Sequence, residues 1–398
     1  MSKKGLPRNE VLRGALVGGG GGAFIARRHE FAVHMPGTRR FVCGALHPDP
    51  DVAMREARNW PYPLQGYPSL GDLIEDQLSL PKTRRIHFAT VATPNNVHFE
   101  QAMALIQAGI PVCLEKPMVT SSEQARELVA AAEEAGVPLM VFHTYWGHAM
   151  TCLAAHIVQS GLIGDVFGGK AEYDQDWLRE MLEAMGVVQA WRAKKAVSGM
   201  SCCGGDIGIH GQKQFERITG LKVAKILYAR LRTVVPRREL DDDFLTVCRL
   251  DNDAEVIVRA SQVRAGHRNR LVVEVNGTKG TLIQDAENPE ELQILRPNKP
   301  VLIYRRGQFG PNDGFLRKVP KWILNANYWP AGHPEGLHDA ACRLYDWFAA
   351  DVRRYYRGKR PMYAGVRYAG VQDGLEHIKF LEAAVEAAER ETQVDIAA

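Results

Sequence analysis

The chain has 398 residues, 45% hydrophobic and 24% charged, and its 50 basic and 46 acidic side chains leave a formal charge of +4. That length exceeds one ordinary hydrophobic core and predicts about two domains. The composition is that of a globular protein, and the near-balance of charge, with no RNA- or DNA-binding motif, excludes a nucleic-acid footprint.

The opening MSKKGLPRNE is polar and lacks the apolar core and cleavage site of a signal peptide. The apolar run from Val11 to Val17 is too short to span a bilayer. Seven cysteines (Cys43, Cys113, Cys152, Cys202, Cys203, Cys248 and Cys342) are odd in number and scattered, which suits a reduced, cytoplasmic protein. No zinc-ligand spacing surrounds the adjacent pair Cys202-Cys203, so no metal is expected.

In chain order, Leu12 to Val17 reads as a strand, Gly18 to Gly22 as a loop and Ala23 to His34 as a helix. Arg40 to Leu46 is a strand, 51–60 a helix, Arg85 to Val91 a strand, and Val97 to Ala108 a helix closed by Gly109. Pro111 to Leu114 is a strand. Ser121 to Ala135 is a helix capped by Ser121 or Ser122 and ended by Gly136, and Pro138 to His143 is a strand. Single helices between strands imply parallel pairing with right-handed crossovers, a doubly wound sheet. Beyond Trp146 the pattern changes. AEVIVRASQVRA and RLVVEVNGTKGTLIQD read as neighbouring antiparallel strands, with turns at Asn276-Gly277 and Lys279-Gly280. Residues 337–357 and 369–390 are helical. The expected fold is α/β: a Rossmann-type domain over 1–145, then an α+β domain over 146–398 with a large, mostly antiparallel sheet, whose final helices could pack back on the first domain. Alternating Val256, Val258, Val273 and Val275 suggest a sheet covered on two faces, hence a homodimer or homotetramer through it.

The loop in ALVGGGGGAF fits a dinucleotide fingerprint, with Gly18 for the tight turn, Gly20 for backbone approach to a pyrophosphate and Ala23 for close packing. Gly21, Gly22 and Phe24 complete the loop and the helix start, where free N–H groups favour phosphate. A ribose-binding acid is absent from the tip of the second strand, which ends on His47 with Asp49 beyond it. Arg55 could instead meet a 2′-phosphate, so NAD and NADP both stay open.

Ligands bind at the carboxyl ends of parallel strands. Thr93-Pro94-Asn95 and Glu115-Lys116-Pro117 occupy such ends, and His98 opens the helix after the first of them. Alone, Lys116 reads equally as a surface lysine. In GMSCCGGDIGIHGQKQ, Asp206 and His210 are spaced to share a helix face, a usable carboxylate–imidazole pair. The bland alternative is a helix-start aspartate with a structural histidine.

Together Gly18-Gly20-Ala23, Thr93-Pro94-Asn95 with His98, Glu115-Lys116-Pro117 and Gly204-Gly205-Asp206-Ile207-Gly208-Ile209-His210 resemble the Gfo/Idh/MocA oxidoreductases, in the expected order over most of the chain. EYDQDWL, ASQVRAGHRNRL and GHPEG resemble a subgroup near levoglucosan and glycoside 3-dehydrogenases. Cys202-Cys203 departs from the glycine run usual before the aspartate.

The resemblance implies an NAD(P)-dependent dehydrogenase acting on a secondary alcohol of a sugar, cyclitol or glycoside. Lys116, often before a cis peptide, would face Asp206 and His210 across a cleft. His210 would be the base and Lys116 the electrophilic helper, or Lys116 the base, with Asp206 orienting a substrate hydroxyl, the histidine or both. Tyr173, Gln175, Asp176, Trp177, Trp191 and Arg192 fall in the family region that lines the pocket, with core packing the alternative for Trp177 and Trp191. Tyr145, after the last strand of the first domain, and His333, in a turn-rich loop, could also reach substrate, with a surface loop histidine the alternative for His333. Two other readings belong to the same resemblance: a glycoside-cleaving or epimerising enzyme with retained cofactor, and a non-catalytic nucleotide-binding regulator.

Overall fold

The computed structural model describes residues 6, 10–21, 23–179, 191–310, 313–316 and 318–396. They fall into two compact units, Met1–His143 with Ala341–Leu375, and Thr144–Ala340 with Glu376–Ala398.

The first unit holds strands β1 (Leu12–Gly18), β2 (Arg39–Ala45), β3 (Gln65–Gly66), β4 (Phe88–Ala92), β5 (Val112–Leu114) and β6 (Leu139–Val141) in the order β3-β2-β1-β4-β5-β6. All pair in parallel. Helices α1 (Phe24–His34), α2 (Pro50–Arg58), α3 (Leu70–Ser79), α4 (His98–Gln107) and α5 (Ser122–Ala135) make the connections. The strands are apolar on both faces, as a sheet flanked by helices requires. Ser121 caps α5 by accepting the Gln124 N–H at 3.3 Å, and Gly136 closes it at φ 63°, where a left-handed residue is needed. The two-residue β3 is too short to be read from sequence, whereas α3 carries a helical signal, Leu70, Leu73, Ile74 and Leu78 behind the cap Ser69, that sequence reading missed.

The second unit is built on nine strands: β7 (Val166–Asp174), β8 (Val223–Arg232), β9 (Asp243–Leu250), β10 (Glu255–Ser261), β11 (Arg270–Gly277), β12 (Gly280–Asp285), β13 (Glu291–Leu295), β14 (Leu302–Arg305) and β15 (Val394–Asp395). Their order is β14-β13-β12-β11-β7-β10-β9-β8-β15. β10 and β11 are therefore not neighbours. β7 lies between them, parallel to β10 and antiparallel to β11. A strand contributed from about ninety residues upstream leaves no local signature. Helices α6 (Ala149–Gln159) and α7 (Ile209–Thr219) cover one face. The row Gly169, Ala171, Tyr173 on β7 aligns with Val256, Val258, Ala260 on β10 and with Leu271, Val273, Val275 on β11. Those valines are buried on the helix-bearing side, which accounts for their burial within one chain. Small residues set the helix distance: a methyl at Gly169 would stand 2.5 Å from the Phe215 ring of α7.

The two C-terminal helices, α8 (Leu337–Tyr355) and α9 (Val371–Arg390), each divide between the units. All seven cysteines are buried and unbridged. Among the described residues no helix is long and apolar enough to cross a membrane.

Candidate active site

In the first unit, Gly18, Gly19 and Gly21 have φ of 78°, 83° and 69°, which side-chain-bearing residues rarely adopt. A methyl on Gly18 would meet Thr93 Cγ2 at 2.5 Å, and one on Gly20 would meet the Leu46 carbonyl at 2.7 Å. Gly22 lies outside the described residues. Ala23 offers no side-chain cap to α1, and the first turn, opening at the exposed Phe24, carries no acid. A helix start that its own first turn does not cap suits an anion such as a pyrophosphate.

The tip of β2 is otherwise employed. Asp49 caps α2 by accepting the Val52 N–H at 3.0 Å, and His47 Nδ1 accepts the Asp49 N–H at 3.0 Å. Arg55 is exposed on α2. An acid does reach the loop, from a place the sequence did not advertise: Glu56 Oε2 accepts the Gly21 N–H at 2.9 Å.

Beyond β4, Thr93 Oγ1 donates to Gln101 at 2.7 Å, and Pro94 and Asn95 open a 3-10 turn. His98 is fully buried, its ring nitrogens 2.9 Å from the Thr93 and Pro117 carbonyls. Only an imidazolium could donate to both. Burial pushes the His98 pKa down against those two carbonyls, so the neutral ring donates to one at a time. His98 braces the two strand-end turns, and its ring nitrogens face carbonyls.

The Lys116–Pro117 peptide is cis. Glu115 is buried beneath it, Oε1 at 2.9 Å from His29 Nε2 and Oε2 accepting the Lys116 N–H at 3.2 Å. His29 Nδ1 lies 2.8 Å from the Tyr345 hydroxyl, itself 2.8 Å from Thr90 Oγ1. This buried chain anchors the backbone that carries Lys116.

In the second unit, Asp206 lies in a π-helical turn, Gly204–Gly208, that runs directly into α7. The sequence predicts a plain α-helix there. The wider turn holds one residue more per hydrogen-bonded loop, and such turns are frequent at functional sites. Asp241 anchors the approach: its carboxylate accepts the Cys202 N–H at 2.9 Å, the Ser201 hydroxyl at 3.0 Å and the Gly204 N–H at 3.1 Å. Burial raises the Asp241 pKa to about 6, and these three donors limit the rise.

His210 is nearly enclosed. Its ring meets Tyr145 edge-on at 5.2 Å and lies 6.2 Å from Tyr173. Behind it runs a closed ring of hydrogen bonds. Asn269 Nδ2 donates to the Tyr145 hydroxyl at 2.8 Å, the two tyrosine hydroxyls are 2.5 Å apart, and Tyr173 donates to Asn269 Oδ1 at 2.6 Å. Gln175 Nε2 adds a donor to Asn269 Oδ1 at 2.7 Å, and Trp177 Nε1 donates to Gln175 Oε1 at 2.8 Å. Trp177 also packs on the cluster of Leu178, Cys202 and Leu240. Arg192 stacks over Trp191 at 4.6 Å and points Nε at Asp206 Oδ1, 3.8 Å away. Asp176 accepts the Gly266 N–H at 3.0 Å, a loop-bracing bond.

The structure thus joins Tyr145, Tyr173, Gln175, Trp177 and His210 in one cluster, with Asp206 and Arg192 paired nearby. His333 is not drawn into it; it is exposed on a turn whose backbone Arg306 grips through the His333 and Trp329 carbonyls. Sequence reading missed Asn269, the hub of the network, and Gln262, which donates to Asp206 Oδ2 at 2.8 Å. Amides carry no spacing signature, and only the strand pairing brings them here. Among the described residues no group of three or more His, Cys, Asp or Glu is arranged to hold a metal.

A cradle of positive-φ glycines between a parallel strand and the start of α1 is the build of a dinucleotide-binding domain. The chain matches the oxidoreductase family with an NAD-binding Rossmann fold over residues 12–143, and the GFO/IDH/MocA C-terminal domain over 153–283. It belongs to the GFO/IDH/MocA oxidoreductase family, and its first unit is the family's NAD-binding domain. An inositol dehydrogenase homolog from Azotobacter vinelandii, solved with NAD+, is 26% identical, with a TM-score of 0.90 over 99% of this chain and 100% of that one. A structure from the same organism with NADH and myo-inositol is 27% identical, with a TM-score of 0.87 over 97% and 98%. Levoglucosan dehydrogenase of Pseudarthrobacter phenanthrenivorans is 26% identical over 69% of this chain and 74% of its own.

Proposed function

We propose that this protein is an NAD(P)-dependent dehydrogenase that oxidises a secondary alcohol of a sugar, cyclitol or glycoside. The observation that carries the reading is the carboxylate–imidazole pair, Asp206 in the π turn and His210 one turn further on, with the hydrogen-bonded Tyr145, Tyr173, Asn269 and Gln175 walling the imidazole on one side. The relatives that bind myo-inositol and that act on levoglucosan support the same substrate class.

The bound nicotinamide would supply the hydride acceptor, held by the Gly18–Gly21 loop and the start of α1, with Thr93, Pro94 and Asn95 at the neighbouring strand end. His210 takes the hydroxyl proton on an imidazole nitrogen as general base. Lys116 donates an N–H to the same oxygen and steadies negative charge as it develops. Asp206 holds a substrate hydroxyl and keeps the helix start electronegative. Tyr145 and Tyr173 shield the imidazole from water on one side.

The test is nicotinamide absorbance with inositols, free aldoses, anhydrosugars and aryl glycosides, each with NAD and then NADP. Reduction with one substrate class is expected. Lys116→Met should then lower kcat by about 100-fold or more while NADH affinity is kept. No reduction with any panel member, or loss of NADH binding in the variant, would sink the assignment.

A further inference from the structure

We propose that Gln262 is a positioning residue for Asp206, and that Cys202 fixes which way round the Gln262 amide sits; this rests on the reading that Asp206 belongs to the reacting site. Gln262 follows β10 directly and is fully buried. Its backbone is pinned on both sides, the N–H donating to the Asp242 carbonyl at 2.9 Å and the carbonyl accepting the Leu178 N–H at 3.0 Å. The side chain spans two partners: Nε2 donates to Asp206 Oδ2 at 2.8 Å, and Oε1 accepts from Cys202 Sγ at 3.5 Å.

A primary amide can turn end for end, and its partners decide between the two orientations. Reversed, the amide oxygen would face the Asp206 carboxylate, acceptor against acceptor. Cys202 supports the observed orientation only while it carries its proton. Burial, with the negative charges of Asp241 and Asp206 beside it, pushes the Cys202 thiol well above its usual range, so it remains a donor. The Cys202 backbone does not drift, because its N–H is held by Asp241 Oδ1.

The consequence falls on Asp206. Gln262 occupies Oδ2, which turns Oδ1 toward Arg192 Nε at 3.8 Å. Charged and titratable groups that face this carboxylate include Arg192 from the 191–193 turn and Cys202 and Cys203 from the segment before it. The cysteine that interrupts the expected glycine run thereby has a use: it is the far end of a two-bond brace on the aspartate.

The test uses the full chain. Gln262→Met keeps the shape and removes the donor. It should lower kcat/KM by about 10- to 100-fold for the alcohol that the wild type oxidises, as a displaced polar group does, with the NADH Kd unchanged. Cys202→Ser, which keeps a donor to Oε1, should lose less than Cys202→Ala. An unaltered kcat/KM in Gln262→Met overturns the proposal.

A second measurement needs no substrate. Gln262→Glu sets one carboxyl against another, and the two cannot both ionise at that distance. The introduced group has its folded pKa raised, so its contribution is present below its unfolded value and lost as pH rises through the folded one. The Tm deficit against wild type should therefore widen as pH rises from about 4 to about 8. It should widen less in an Asp206→Asn background; equal widening in both overturns the contact. If that coupling is found but the wild type oxidises no alcohol, the proposed reaction falls and the Gln262–Asp206 brace stands.

Discussion

Glu115 holds His29 with one carboxylate oxygen, 2.9 Å from Nε2, and receives the Lys116 N–H on the other at 3.2 Å. The acid of the Glu-Lys-Pro turn is thus tied into a buried chain that reaches Tyr345 on α8 through His29.

Burial alone would raise the Glu115 pKa; the hydrogen bond and charge of His29, then Lys116 and Arg28, outweigh it and leave it lowered. With the folded pKa depressed, Glu115 contributes stability above the unfolded carboxyl value, and that contribution is lost as pH falls through the folded one. Glu115→Gln should cost about 2–4 kcal/mol near neutral pH. The deficit should shrink when denaturant midpoints are compared at about pH 7 and about pH 4. A deficit independent of pH would mean that the charge of Glu115 contributes nothing.

Asn269 is predicted to govern substrate affinity. Asn269→Leu removes both the donor to Tyr145 and the acceptor for Tyr173 and Gln175. Networks of this kind lose more than one pairwise bond when the hub is removed. KM should rise about tenfold, equivalent to about 1.4 kcal/mol, with NADH affinity unchanged. An unchanged KM would assign the tyrosine pair to packing alone.

How much of this was legible follows from what each residue does to its neighbours in sequence. The parallel sheet announces itself because each strand–helix repeat carries its own periodicity and punctuation, down to Ser121 and Gly136 at the ends of α5. Lys116, Asp206 and His210 could be selected because they sit in short motifs. Asn269, Gln262 and Glu56 could not: one amide lies in a loop, one follows a strand, and the acid is a helix residue like its charged neighbours. Their roles arise only when β7 inserts between β10 and β11 and when α2 turns Glu56 onto the Gly21 amide. The π turn at Gly204–Gly208 is equally silent, since its residues suit an α-helix start as well.

The outer face of the nine-stranded sheet carries exposed Tyr228, Ile257 and Ile303 among Lys170, Glu172 and Glu274. Tyr228, Val247 and Ile257 stand side by side across β8, β9 and β10, and a contiguous apolar row on a sheet face favours self-association. We expect a homodimer or homotetramer through this face, converted toward monomer by Ile257→Lys without loss of NADH binding. Light scattering that finds a wild-type monomer would refute this.

Glu56 bears on the choice of nucleotide. Its carboxylate touches Gly21, and its Cγ would stand 3.1 Å from a methyl at Gly20, so a negative charge lies against the phosphate loop itself. A charge in that position repels any polyanion, and it repels NADPH more, because the 2′-phosphate adds charge to the same ligand. Partial exposure lets solvent and salt screen the effect. Glu56→Gln should therefore move the ratio of NADPH to NADH affinity toward NADPH by about two- to tenfold, a shift of roughly 0.4–1.4 kcal/mol. The shift should be larger in low salt than in high salt, as titrations of nicotinamide fluorescence would report. A ratio that stays fixed at both ionic strengths would show that Glu56 only shapes the loop, and discrimination would then have to come from Arg55 or the His47 tip of β2.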